Sequence, residues 1–257
     1  MKKTILISLL VIVIAVLSIG GWLWYSVRTS NPWNAATIGD IPTPMGYTRV
    51  EAPAGSYTAY LRNLPLKKRG AKVQLYTGGD ARMQYISAGV IDQDILSNSE
   101  QCADVTMRLR AEYLWSKGRY GDIHFRDVNG KQLRYSGGSS RKAFEKYMRN
   151  VYGVCSTFSV YHETKPRDVR NVQPGDVLVY PARPGHKYGH AVMVVDVAKN
   201  RNGKVAVMCA EGNTPAREKH VIRNSNPLRN PWFFLDEDDD TFYINVFHFE
   251  KDELRHY

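Results

Sequence analysis

The stretch Tyr188-Gly189-His190-Ala191-Val192-Met193-Val194-Val195 decides how this chain folds. Its apolar, mostly β-branched run reads as a strand over His190–Val197, with an imidazole at the strand's start and a glycine before it. Upstream, Gln173-Pro174-Gly175-Asp176 turns into a second such strand, Val177–Tyr180. Downstream, Asn200-Arg201-Asn202-Gly203 closes a hairpin onto Val205–Cys209, and Phe242–Phe249 supplies a last strand. Ahead of this strand-rich half stands the strongest helix signal, Ser99–Lys117. Ser99 is its predicted N-cap, Glu100 suits the first turn, and Gly118 follows the end. Cys102, Val105, Leu109 and Tyr113 share one face at helical spacing. A helix followed by antiparallel strands predicts an α+β fold, the helix packed on an antiparallel sheet.

Shorter signals fill the gaps. Ser56–Leu64 reads as a helix ended by Pro65, and Val73–Tyr76 and Met83–Val90 as strands around Gly78-Gly79-Asp80. Ile123–Phe125 and Gln132–Tyr135 read as a hairpin around Asn129-Gly130, and Arg141–Asn150 and Thr157–Thr164 as helices.

The N-terminus is of another kind. Ile5 to Trp24 is an uncharged apolar run of 20 residues, roughly 30 Å as a helix, the thickness of a bilayer core. Aromatics at Trp22, Trp24 and Tyr25 sit where an interfacial belt belongs, and no small-x-small cleavage site closes the run. Residues 1–27 are therefore read as a signal-anchor transmembrane segment. Lys2 and Lys3 favour the short N-terminus inside and the body outside. Residues 28–46, with Pro32, Pro42 and Pro44, read as a tether, and 47–257 as one domain.

The 43% hydrophobic content predicts a globular body rather than disorder. Beyond residue 28 it carries 32 Lys and Arg against 25 Asp and Glu, which suits anionic envelope polymers or a membrane surface. No nucleic-acid recognition motif accompanies the charge, so nucleic acid is not an expected partner. The three cysteines, Cys102, Cys155 and Cys209, leave two readings open: a Cys155–Cys209 bridge with Cys102 unpaired, or three buried thiols.

Cys102 and His190 are the residues that suggest chemistry. A thiol attacks as its thiolate, and unpaired N–H groups at a helix start favour an anion there. The same N–H groups, with the Gln101 amide beside them, are candidate donors to an oxyanion. His190 would take the thiol proton and pass it to a leaving amine. His186, in a second Gly-His pair, competes for that role. A third group should orient the imidazole. Glu211 is the first choice and Asn213 the second, both following the strand that pairs with that of His190. Each residue taken singly also has an ordinary reading, as core thiol, strand-end histidine or polar loop. His186 and His190 have the spacing of helical zinc ligands, but Pro184, Gly185 and Gly189 oppose a helix. Asp236–Asp240 lacks the spaced ligands of a calcium loop. No metal and no cofactor is expected.

The order Cys102, Val172–Tyr180, Gly189–Val195, then Glu211 and Asn213 resembles the papain-like cell-wall peptidases and amidases, above all the cysteine-histidine-dependent amidohydrolase/peptidase group. That resemblance implies a papain-like fold with Cys102 as nucleophile, His190 as base and Glu211 or Asn213 orienting it. It implies a cysteine peptidase or amidase of the bacterial inner membrane, its body on the periplasmic or extracytoplasmic side, cutting an amide in peptidoglycan stem peptides or a similar envelope substrate. The alternative is a catalytically silent module of the same fold that binds an envelope polymer or partner. Tyr60–Lys67, Gln101–Asp104 through Arg108–Leu114, and Pro231-Trp232-Phe233 look like a bacterial envelope family known as domain of unknown function 4846, from about Tyr47 to the C-terminus. The chain departs from that family's pattern by Glu211 in place of the usual Gln, and by residues around Pro184–Gly189 that give two Gly-His pairs.

Overall fold

The computed structural model describes residues 2–185 and 187–257. Helix α1 (Lys2–Ser26) has 25 residues, roughly 37 Å of length. Leu6, Leu17 and their neighbours are exposed along it, so the body leaves its apolar span uncovered and meets only its last turn, where Leu23 and Tyr25 are half-buried. It is long and apolar enough to cross a membrane.

The stretch 28–46 is not the expected tether. Asn31 is buried, with Nδ2 donating to Ala35 O at 2.9 Å and Lys67 O at 3.0 Å and Oδ1 accepting from Ala35 N at 2.8 Å. Ile38 and Ile41 are fully buried, each worth roughly 1.5–3 kcal/mol. Trp232 Nε1 donates to Pro42 O at 2.7 Å. The prolines gave this stretch a linker's composition, but its two isoleucines belong to the core, and the folded body starts directly after α1.

The body continues through β1 (Tyr47–Arg49), α2 (Tyr57–Arg62), β2 (Ser87–Val90), α3 (Cys102–Ser116), the hairpin β3 (His124–Arg126) and β4 (Gln132–Arg134), α4 (Arg141–Val154) and α5 (Thr157–Glu163). Strands then dominate: β5 (Lys165–Pro166), β6 (Val177–Tyr180), β7 (His190–Asn200), β8 (Val205–Glu211), β9 (His220–Ile222), β10 (Trp232–Leu235), β11 (Thr241–Ile244), β12 (Phe247–Glu250) and β13 (Leu254–His256). Among the described residues the main sheet has nine strands, all antiparallel pairs, in the order β2-β9-β8-β7-β6-β13-β5, with β1 added to β7 and β10 to β8. The fold is α+β.

Period-2 alternation divides the central strands between two cores. Ala191, Met193, Met208 and Ala210 pack in the core that holds α3, α4 and α5. Val192, Val194, Val207 and Cys209 pack in the core that holds Phe242 and Phe249 of the β11–β12 hairpin. A bulge in β7 shifts the register between Val194 and Asp196. The fully buried Asp196 carboxylate there accepts from Arg49 Nε at 2.5 Å and Arg62 Nε at 2.7 Å, tying β1 and α2 to the sheet.

Three expectations fail for local reasons. Val73–Tyr76 forms isolated pairings only, because the Gln84 side chain occupies Val73: Val73 N donates to Oε1 at 2.9 Å and Nε2 donates to Val73 O at 2.8 Å. Met83 has φ +60°, and Gln84–Ile86 is a 3-10 turn, so only Ser87–Val90 of that expected strand pairs. Asn245, at φ +56°, breaks Phe242–Phe249 into the two arms of a hairpin. All three cysteines are free and buried, so the open Cys155–Cys209 pairing is not made.

Asp196→Ala leaves two arginines without their shared carboxylate. The expected outcome is a loss of about 3 kcal/mol, read as a lowered denaturation midpoint of the full chain in detergent.

Candidate active site

Helix α3 begins at Cys102, with Gln101 as N-cap, and not at Ser99 as the sequence suggested. Asp104 Oδ2 accepts from Gln101 N at 2.9 Å, which sets the cap. The turn before it closes through Glu100 N to Ser97 O at 3.0 Å, and the Glu100 side chain turns inward. There it takes Arg108 Nη1 at 2.8 Å, Lys219 Nζ at 2.7 Å and Leu96 N at 2.7 Å, all nearly or fully buried. Cys102 is therefore the first helical residue, and its own N–H and that of Ala103 have no intrahelical acceptor. Its side chain is 9% exposed and lines a cavity of about 280 Å³ with Gln101, Asp104, Tyr152, Tyr188 and Thr214.

The imidazole arrives from the sheet. His190 opens β7, 95% buried, opposite Tyr180 of β6. Gly189 before it is required: a Cβ there would lie 2.2 Å from Tyr180 O and 2.5 Å from Thr157 Oγ1. Glu211 ends β8, fully buried. Its Oε2 lies 2.6 Å from His190 Nε2. The other carboxylate oxygen, Oε1, lies 3.3 Å from Nε2 of His220, the residue directly opposite on β9. His220 Nδ1 in turn donates to Glu218 O at 3.1 Å. Phe247 stacks on the His190 ring at 3.7 Å between centroids and 17° between planes, closing that side to water.

With Nε2 given to Glu211, Nδ1 is the His190 nitrogen left for Cys102. Burial alone would push the His190 imidazolium down. Hydrogen bonds with Cys102 and Glu211, and their charges, outweigh it and raise the group to about 9. Glu211 is likewise pushed up by burial, but the bond with His190 and the neighbourhood of both imidazoles hold it well below the usual carboxylate range. Gly212 lets the two halves meet, since a Cβ there would lie 2.7 Å from Val105 Cγ2 of α3.

Of the residues singled out from the sequence, Cys102, His190, Glu211 and Gln101 come together and Asn213 does not join them. The Asn213 side chain turns back to accept from Thr214 N at 2.7 Å. Gln101 lines the cavity with its Oε1 held by the Thr214 hydroxyl at 2.8 Å, which leaves Nε2 to donate. His186 lies outside the described residues. The sequence reading missed His220 and Phe247. His220 sits on a three-residue strand, too short for periodicity to reveal, and Phe247 was hidden inside a strand read as continuous. Asn245-Val246 was the overlooked turn signal. It also missed Asp104, whose Oδ1 has no partner among the described residues. Burial pushes Asp104 up to about 8 against the bond from Gln101 N, and the nearby Glu100 charge adds to the rise.

A family model matches residues 39–140 and 134–256, nearly the whole body. The chain belongs to the family described as domain of unknown function 4846. The two matched stretches of this family's domain build one sheet, since β1 and β2 of the first pair with β7 and β9 of the second. Cys102 and Gln101 come from the first stretch and His190, Glu211 and His220 from the second, so the cleft forms where they meet. No curated protein and no solved structure matches the chain.

The sign of the His190 shift fixes a pH window. A raised pKa means the fold favours the imidazolium. That contribution is complete below the ordinary midpoint, about 6.5, and is lost as pH rises through about 9. A ring-proton NMR titration of the full chain should place His190 near 9, and Glu211→Gln should bring the midpoint down by removing the carboxylate charge. An unchanged midpoint in that variant would contradict the pairing.

Proposed function

We propose that this chain is a membrane-anchored cysteine hydrolase with a papain-like arrangement, acting on an amide bond of an envelope substrate such as peptidoglycan stem peptides. The observation that carries the reading is the buried His190–Glu211 pair, Nε2 and Oε2 2.6 Å apart, next to Gly189 of the cavity that Cys102 lines from the start of α3. A thiol at a helix start, an imidazole tuned to stay charged at neutral pH and a buried carboxylate behind it meet the geometric roles of nucleophile, acid–base and orienting group.

In this mechanism the Cys102 sulfur, its proton held on His190 Nδ1, attacks the amide carbonyl carbon. The oxyanion takes the Cys102 N–H and the Gln101 Nε2 amide. His190 gives its Nδ1 proton to the leaving amine as the C–N bond breaks, leaving a thioester on Cys102. Water then attacks the thioester with His190 as base, releasing the carboxylic acid and restoring the thiol. Glu211, bonded to Nε2 throughout, holds the ring and compensates its charge. α1 keeps the enzyme at the bacterial inner membrane with its body on the extracytoplasmic side, and the basic body suits an anionic polymer.

The test pairs labelling with turnover. A thiol-reactive probe on the folded full chain should modify Cys102 ahead of Cys155 and Cys209, both of which burial pushes upward. Muropeptide hydrolysis should fall to background in Cys102→Ala and by about 100-fold or more in His190→Ala. Binding of muropeptides without turnover, with Cys102 unreactive, would leave the silent module of the same fold as the correct reading.

A further inference from the structure

We propose that a second cavity, beside the end of α1, is a binding site for the headgroup of an anionic phospholipid. This inference rests on α1 being retained as the anchor. The cavity is about 770 Å³, and its walls include Arg28, Met83, Gln84, Tyr85, Arg223 and Ser225. It begins at Val27, the first residue beyond α1, so it opens where the apolar span gives way to polar chain.

Its electrostatics are one-sided. No carboxylate lines it among the described residues. Arg223 is 97% buried and yet meets only neutral oxygens: Nη1 donates to Ser26 O at 2.6 Å and Nη2 to Ser87 O. Its Nε has no partner among the described residues. Burial alone acts on it, lowering it to about 10, with no acid to offset the cost. It remains a cation at neutral pH, and no carboxylate among the described lining residues opposes its charge at the cavity wall. Arg28, exposed and lying over the Trp24 ring at 4.7 Å, adds a second positive charge at the same place.

The rim is suited to lipid. Met83 is 42% exposed and Tyr85 60% exposed. Met83 offers an acyl chain an apolar contact, and a tyrosine is at home where one end of the ring is wet and the other apolar. A phosphodiester offers one negative charge and the planar acceptor geometry that guanidinium groups match. Acyl chains attached to it would lie along the uncovered apolar surface of α1, a fit that a free phosphate lacks.

Native mass spectrometry of the detergent-solubilised full chain, titrated with phosphatidylglycerol and phosphatidylcholine, tests this. One phosphatidylglycerol should be retained in preference, at least fivefold over phosphatidylcholine. Arg28→Ala and Arg223→Gln should each erase most of that preference while Cys102 labelling stays unchanged, which shows the body is folded. Equal retention of the two lipids, or a preference untouched in Arg28→Ala, overturns the proposal. Competition by millimolar inorganic phosphate that abolishes retention also overturns it, in favour of a site for the free anion. The mass of the mature chain separates the two readings: loss of α1 overturns the anchor and this site together, whereas an intact α1 with equal retention overturns this site alone.

Discussion

The Glu211 carboxylate is the group on which the site's geometry depends. It is fully buried, carries a negative charge and has an imidazole on each oxygen, His190 at 2.6 Å and His220 at 3.3 Å. A buried carboxylate is stable as an anion only where its partners repay desolvation. The three residues come from three adjacent strands, so the register of β7, β8 and β9 is coupled to that repayment. A slip by one residue would turn Glu211 into the opposite core, among α3 and its neighbours, with neither histidine in reach.

Strand β9 also sets the other half of the cleft. Lys219, next to His220 and pointing the opposite way, is fully buried and bonds the Glu100 carboxylate at 2.7 Å. Glu100 lies two residues before Cys102, and Arg108, one and a half turns along α3, closes on it from the other side. Burying a lysine, an arginine and a glutamate together is poor economy for stability, since an apolar trio of the same volume would cost less. What the cluster gives is position. Moving the start of α3 away from β9 would strand a buried charge, so β9 holds the helix start through the Lys219–Glu100 ion pair on one face and sets His220 against Glu211 on the other.

The parts of this fold with a local signal were legible in the sequence, and the parts held by distant charges were not. Val177–Tyr180 has the same bounds in both, and β7, β8 and α5 lie within three residues of expectation. Those runs are apolar, β-branched or capped, and bounded by turn residues. Cys102 and His190 stood out because each sits at the end of such an element. Lys219 and His220 carry no comparable mark: a lysine reads as surface, and a three-residue strand has no period. Ser99 looked the better cap because Ser ordinarily is. The cap fell to Gln101 because Glu100 is drawn into the core by cations 8 and 119 residues away, a constraint invisible to local pattern.

The stretch after α1 decides how freely the body can move about that helix. A flexible linker of that length would let the cleft search a volume around the helix end. Here Asn31, Ile38, Ile41 and Pro42 are all engaged by the body, and Ser26 O is captured by both Arg223 and Asn230, the latter at 3.1 Å. The carbonyl end of α1 carries partial negative charge, and a buried arginine set against it is a C-terminal cap as well as a bolt. Helix and body therefore move as one piece. A cleft on such a body sits at a fixed distance from whatever holds α1, with no slack in the chain between them.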